Sequence, residues 1–261
     1  VLVYDASITE NGLAADLVLG QPNFTSSGPS LTRTGLASPE AVSVNTSTGA
    51  VAVADRDNNR ILLWSSTPNT NNKTADFVLG QSGFTSGSFG TSASALHTPR
   101  GVGFDSNTGY LYVADTDNNR VVIWTAAVSA NNQAANRVLG QTGMTGGNAG
   151  AASAQSMNQP VKVSVSRSSS VVTVADTGNN RALVYRSTIL TDGQAADSVA
   201  GQSSMTSSGA ATSQSGLNAP SAIIADPTNG KAYIADTSNN RITIYGNVGP
   251  SQPSATAPSD G

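Results

Sequence analysis

The pattern Asp-x-x-Asn-Asn-Arg, set between two alternating apolar runs, occurs four times in this chain and limits its fold more than any other feature. The copies are VAVADRDNNRILLW (51–64), LYVADTDNNRVVIW (111–124), VTVADTGNNRALVY (172–185) and AYIADTSNNRITIY (232–245). Their arginines, Arg60, Arg120, Arg181 and Arg241, follow one another at intervals of 60, 61 and 60 residues. Self-similarity at a fixed period means an array of like units that bury their apolar faces against one another.

Each unit reads as strands. Apolar residues alternate on both sides of the Asn-Asn-Arg run, which is the period of a half-buried strand. A further short run, ADLVLGQ (15–21), returns as ADFVLGQ (75–81), ANRVLGQ (135–141) and ADSVAGQ (196–202), and Gly-Gln ends it. A Ser/Thr/Gly-rich segment of loop composition follows each Gly-Gln. Within it one apolar residue recurs early (Phe24, Phe84, Met144, Met205) and one late (Leu36, Leu96, Met157, Leu217). These two positions are expected to pin the loop to the body. A proline (Pro39, Pro99, Pro160, Pro220) then opens another strand, AVSVN, GVGFD, VKVSV or AIIAD. Proline is tolerated there because a strand's first N–H is not yet needed by the ladder. Turns such as NTSTGA, DSNTGY and DPTNGK suit tight hairpins. The unit is therefore four short antiparallel strands without a helix. Four-stranded sheets repeated around an axis make a β-propeller, and the predicted fold class is all-β.

Composition removes several function classes. Charged residues are 11% of the 261, against about 25% in an average soluble protein. No run approaches the roughly 18 apolar residues of a membrane helix, so membrane insertion is not expected. The net charge is −3 with no basic run, a poor match for nucleic acid, where phosphate neutralisation supplies most of the affinity. Cysteine is absent, which excludes disulfides and thiolate metal sites. A surface poor in Lys and rich in Ser, Thr and Asn fits a secreted or cell-surface bacterial protein. The start at Val1, without Met, gives the expectation that something upstream was removed or not included.

Pro-x-Gly-Val followed by Tyr-Val-Ala-Asp-x-x-Asn-Asn-Arg, present as Pro99, Gly101, Val102 and 112–120, resembles the NHL repeat, a propeller blade. The resemblance extends over all four units, residues 1–246, although NHL blades are usually shorter; the Ser/Thr-rich loop makes the difference. The third unit, with Lys162 and Ser164 in its Pro-led strand, departs most. The resemblance implies that the strand after Pro is innermost and Val-Leu-Gly-Gln outermost. Complete blades would be 40–81, 100–141 and 160–202, with three strands of another in 220–245. Residues 15–21 would supply an outermost strand that could close a ring of four. VLVY (Val1 to Tyr4) matches the strand after Arg, giving five copies of that strand and four of every other. Either the ring is larger than four blades or the surplus strand pairs elsewhere. Residues 247–261 have linker composition.

No residue is a convincing catalytic, cofactor-binding or metal-binding candidate. The recurrent motif residues are Asp55, Asn59 and Arg60; Asp115, Asn119 and Arg120; Asp176, Asn180 and Arg181; and Asp236, Asn240 and Arg241. They are read as structural: the Asp accepting backbone N–H groups in a turn, the Arg bridging to a neighbouring blade's carboxylate. Asp55-x-Asp57-x-Asn59 and Asp115-x-Asp117-x-Asn119 begin like a calcium loop but lack its Gly and distal Glu. His97 is the only histidine, too few for a zinc site or a triad without other partners. Trp64 and Trp124 share a repeat position with Tyr4, Tyr185 and Tyr245, which argues for packing between blades over a sugar platform. Asn23, Asn45 and Asn72 head N-glycosylation sequons. The expected function is a non-catalytic scaffold without cofactor, binding a protein or glycan through loops at one propeller face. The alternatives are a structural subunit joined by strand exchange at the surplus edge, and a propeller lyase or hydrolase.

Overall fold

A computed structural model describes residues 1–4, 11–166, 171–186, 189–226 and 231–246. The chain opens with β1 (Leu2–Val3) and β2 (Leu17–Val18). The first repeat then gives β3 (Pro39–Val44), β4 (Val51–Asp55), β5 (Arg60–Trp64) and β6 (Phe77–Leu79). The second gives β7 (Pro99–Phe104), β8 (Leu111–Asp115), β9 (Arg120–Trp124) and β10 (Arg137–Leu139). The third gives β11 (Pro160–Val165), β12 (Val172–Asp176), β13 (Arg181–Tyr185) and β14 (Ser198–Ala200). The fourth gives β15 (Pro220–Ala225), β16 (Ala232–Asp236) and β17 (Arg241–Tyr245).

Strands pair antiparallel in chain order: β3-β4-β5-β6, β7-β8-β9-β10, β11-β12-β13-β14 and β15-β16-β17. The Pro-led strands contact their counterparts in sequence, β3 with β7, β7 with β11 and β11 with β15, so they are the innermost strands of successive blades. In every blade the opening Pro lies opposite the motif Asp, as Pro99 does opposite Asp115, and a bulge follows it. The motif itself is a one-turn 3-10 segment closed by its second Asn in the left-handed region, at φ 53 for Asn119. Asn tolerates that conformation better than other side chains with a Cβ. The Arg that follows sits directly across the hairpin from the Asp.

The core lies between blades. Tyr112, Ala114, Val121 and Ile123 on one face of the second blade pack on Val163, Val174, Leu183 and Tyr185 of the third. Equivalent layers join the first blade to the second and the third to the fourth. Trp124 is buried in the layer between the first and second blades and Trp64 in the layer between β1–β2 and the first blade, as their recurrence suggested, and their indole N–H groups donate to the Gln133 and Lys73 carbonyls at 2.8 and 3.0 Å.

The late loop residues Leu36, Leu96, Met157 and Leu217 are buried, as expected of pegs. Leu96 presses on Gly80, which has φ +83; a Cβ there would meet the Leu96 side chain at 2.6 Å. The early positions meet the expectation in part. Phe24 is exposed, whereas Phe84, Met144 and Met205 are half-buried and pack against the core layers, and their backbone carbonyls are also held by the motif arginines.

The two ends settle the surplus strand. β1 pairs with β2, Leu2 opposite Val18 and Val3 opposite Leu17, and with Val1 and Val3 it packs on the first blade. A ring of four closed by β2 on the last sheet is therefore not the arrangement adopted. Among the described residues β17 has no strand on its outer edge. Residues 5–10, the turn residues 227–230 and the predicted linker 247–261 lie outside the described residues.

Candidate functional site

The recurrent motif forms a hydrogen-bonded clamp, identical in plan at each repeat. One carboxylate oxygen of the Asp accepts a loop N–H, from Ala37, His97, Asn158 or Asn218, at 2.6–2.7 Å. The other accepts the first Asn side chain at 2.8–2.9 Å. It also accepts Arg Nε at 2.6–2.7 Å. The Arg thus pairs with the Asp of its own motif, and the expected bridge to a neighbouring blade's carboxylate is not made. Its remaining N–H groups go to carbonyls instead. Arg120 reaches Thr91, Ser92 and Ala95 in the preceding loop and Met144 in the following one. The second Asn also reaches forward. Asn59 donates to the Gly87 carbonyl at 2.9 Å and accepts the Thr98 N–H at 2.8 Å, where Thr98 stands at φ 52 ahead of the Pro of the next blade. Asn119 and Asn180 do the same for Gln159 and Ala219.

The electrostatics follow the burial. Asp55, Asp115 and Asp176, with their arginines, are fully buried, and burial pushes their carboxyls up against the downward pull of the surrounding donors. At Asp236 burial also pushes upward, but the Asn239, Asn218 and Arg241 hydrogen bonds outweigh it and hold the carboxyl below the usual range. Among the described residues nothing covers one face of its blade, and Arg241 keeps a side-chain exposure of 31%. A carboxylate with no exposure that already accepts backbone, amide and guanidinium donors is placed to hold the loops together and is out of a substrate's reach.

The other singled-out residues are dispersed. His97 stacks on exposed Phe89 with ring centroids 4.4 Å apart, and its Nε2 stands 3.7 Å from Asp117. Asp57 is bonded to Arg56 and Ser38. No group of three His, Asp or Glu side chains among the described residues is placed to hold a metal ion. No helix among them is long and apolar enough to cross a membrane.

The innermost strands enclose the main concavity, about 620 Å³, bounded by β3, β7, β11, β15 and the open face of the last blade. Its walls carry Val44, Phe104, Ile224, Ser43 and Ser164, and one cation, Lys162. At the position of Lys162 the other repeats have Ala41, Gly101 and Ala222. The sequence marked Lys162 as the point where the third repeat departs, but could not show that this position faces the axis.

The class these observations define is a β-propeller of four-stranded antiparallel blades. The family model for the NHL repeat matches residues 96–124, the last part of the second loop and its first three strands, so the second blade is an NHL repeat and the array is NHL-like. A chain of the crystal structure of a nidogen/laminin complex has the same fold, with TM-score 0.51 and 18% identity over 83% of this chain and 62% of that one. A chain of Kuenenia stuttgartiensis hydrazine synthase aligns with TM-score 0.49 and 9% identity over 78% of this chain and 44% of that one. This chain therefore spans less than two thirds of either. No curated protein sequence matches it.

Proposed function

We propose that the chain is a non-catalytic interaction scaffold, secreted or displayed at a cell surface, that engages a protein partner through the open end of its blade array. The observation that carries this reading is the uncovered face of the last sheet. Ile242 and Ile244 are 63% and 58% exposed, whereas Val121 and Ile123, at the same positions in the second blade, are fully buried under the third. Among the described residues no strand pairs with the outer edge of β17, and such an edge is a template for another strand. The partner surface this end fits is β-structure with apolar residues of the kind found on the outermost strand of a blade. The location outside the cell is supported by the Lys-poor, Ser/Thr/Asn-rich surface.

The test uses a peptide with the sequence of residues 73–83, which contains the β6 strand. Leu79 of β6 pairs with Ile61, and Ile242 is the corresponding residue of β17. The peptide is expected to bind the 261-residue chain saturably in fluorescence anisotropy, and Ile242→Lys is expected to abolish the binding without lowering the melting temperature. A chain that stays monomeric in light scattering and binds no peptide would remove the edge as the interaction surface. A loop-face glycan site is a second reading, favoured by Phe89, which is 69% exposed and stacked on His97. Loss of binding on a glycan array in Phe89→Ala, with peptide binding kept, would select it.

A further inference from the structure

We propose that the axial concavity is a binding site for an organic carboxylate with an apolar body, with the Lys162 ammonium receiving the carboxylate. Three observations on the chain converge. First, the concavity has the volume of a small-molecule site, about 620 Å³ where such sites run to roughly 300–1,000 Å³. Secondly, Lys162 is the one charged residue among those that line it, and no carboxylate lines it. Lys162 has no salt bridge, and burial alone acts on its ammonium, lowering it from the ordinary range. An uncompensated, partly desolvated cation costs free energy that an anion would recover. Thirdly, the surroundings suit an amphiphile. Val44 and Ile224 are 46% and 60% exposed on the walls, and Phe104 lies between the blades that carry them. Polar partners for the second carboxylate oxygen are at hand. Ser43 Oγ accepts the Phe104 N–H at 3.0 Å, which leaves its own O–H to donate, and the Ser164 hydroxyl also lines the site.

The backbone that carries Lys162 is held tightly by the neighbouring blade. Its strand runs close against β7: a Cβ on Gly101 would meet the Val161 carbonyl oxygen at 2.7 Å and Lys162 Cα at 2.9 Å. Gly101 therefore lets β11 approach, and the approach fixes the backbone from which Lys162 projects.

This proposal does not depend on the open edge of β17, and its test is separate. Octanoate is titrated into the full chain by calorimetry, with octanol and inorganic phosphate as controls. Octanoate is expected to bind more tightly than either, because octanol lacks the charge and phosphate the apolar body. Lys162→Met keeps the length of the side chain and is expected to weaken octanoate by about tenfold or more, the scale of one charge-assisted hydrogen bond. Lys162→Arg keeps the charge and is expected to retain binding within a few-fold. Thermal unfolding of both variants verifies that they are folded; Lys162→Met removes a half-buried uncompensated charge and should melt no lower than the parent. Octanoate affinity unchanged in Lys162→Met, octanol binding as tightly as octanoate, phosphate binding as tightly as octanoate, or no heat of binding at all would each overturn the assignment.

Discussion

Replacing Asp115 by Ala is expected to lower the unfolding free energy by about 3–5 kcal/mol, the range for breaking a buried ion pair by removing one partner. The loss comes from what is left behind. Arg120 is fully buried, and without Asp115 its charge faces only neutral carbonyls. The His97 N–H and the Asn118 side chain lose an acceptor in the same step. Asp115→Asn keeps one carbonyl oxygen and should cost less. Asp236→Ala should also cost less, because Arg241 is 31% exposed and water can replace the missing carboxylate. Urea unfolding of the three variants gives the comparison. Equal losses at Asp115 and Asp236 would show that burial is not what makes the pair valuable.

Leu96→Ala is expected to cost about 2–5 kcal/mol, the range for deleting most of a buried aliphatic side chain. Leu96 has no exposure and belongs to the layer between the first and second blades. It also sits over Gly80, so the two positions should be coupled. Gly80→Ala alone must displace Leu96 and strain a backbone at φ +83. In a Leu96→Ala background the displacement disappears and only the backbone strain remains. The double-mutant cycle should therefore show a smaller cost for Gly80→Ala in the second background. An identical cost in both would mean that Leu96 does not press on Gly80 in solution.

Much of this architecture could be read in the sequence, and its failures share one cause. Strand positions follow from alternation, a local property, so the four runs per unit and the Pro that opens the innermost one came out where the structure has them. The buried loop residue Leu96 was visible because its spacing recurs. Its early companion Phe24 recurs equally well and is exposed, whereas Phe84, Met144 and Met205 pack on the core, because periodicity cannot show that the first copy lies at the end of the array with less body to pack on. The partner of each Arg was misread for the same reason. A charge five residues away was known, but the carbonyls at Thr91 and Met144 are brought to Arg120 only by folding of two different loops. The pairing of β1 with β2 was one of the open alternatives, and alternation could not choose between them, since β1 and β17 carry the same pattern. Lys162 was legible as an irregularity in the third repeat; its place at the axis needed the third dimension.

Side chains that hold loop carbonyls explain a contrast in the repeats: apart from the pegs and a few recurrent positions such as Thr85 and Thr145, the loops vary in sequence but hardly at all in length. Gln81 takes the Ser88 carbonyl and Arg120 the Ser92 carbonyl, while in the next unit Gln141 takes Asn148 and Arg181 takes Ser153. Four positions separate the first two acceptors (92 minus 88) and five the second two (153 minus 148), so the extra residue of the 61-residue interval falls between these anchors. Because the anchors are carbonyls, which every residue supplies, they audit length and ignore identity. A gene encoding such a chain can vary most loop residues more freely than their spacing, as long as the buried pegs such as Leu96 are kept. The period is thus a ruler kept by main-chain oxygen atoms, with a few side chains fixed at its marks.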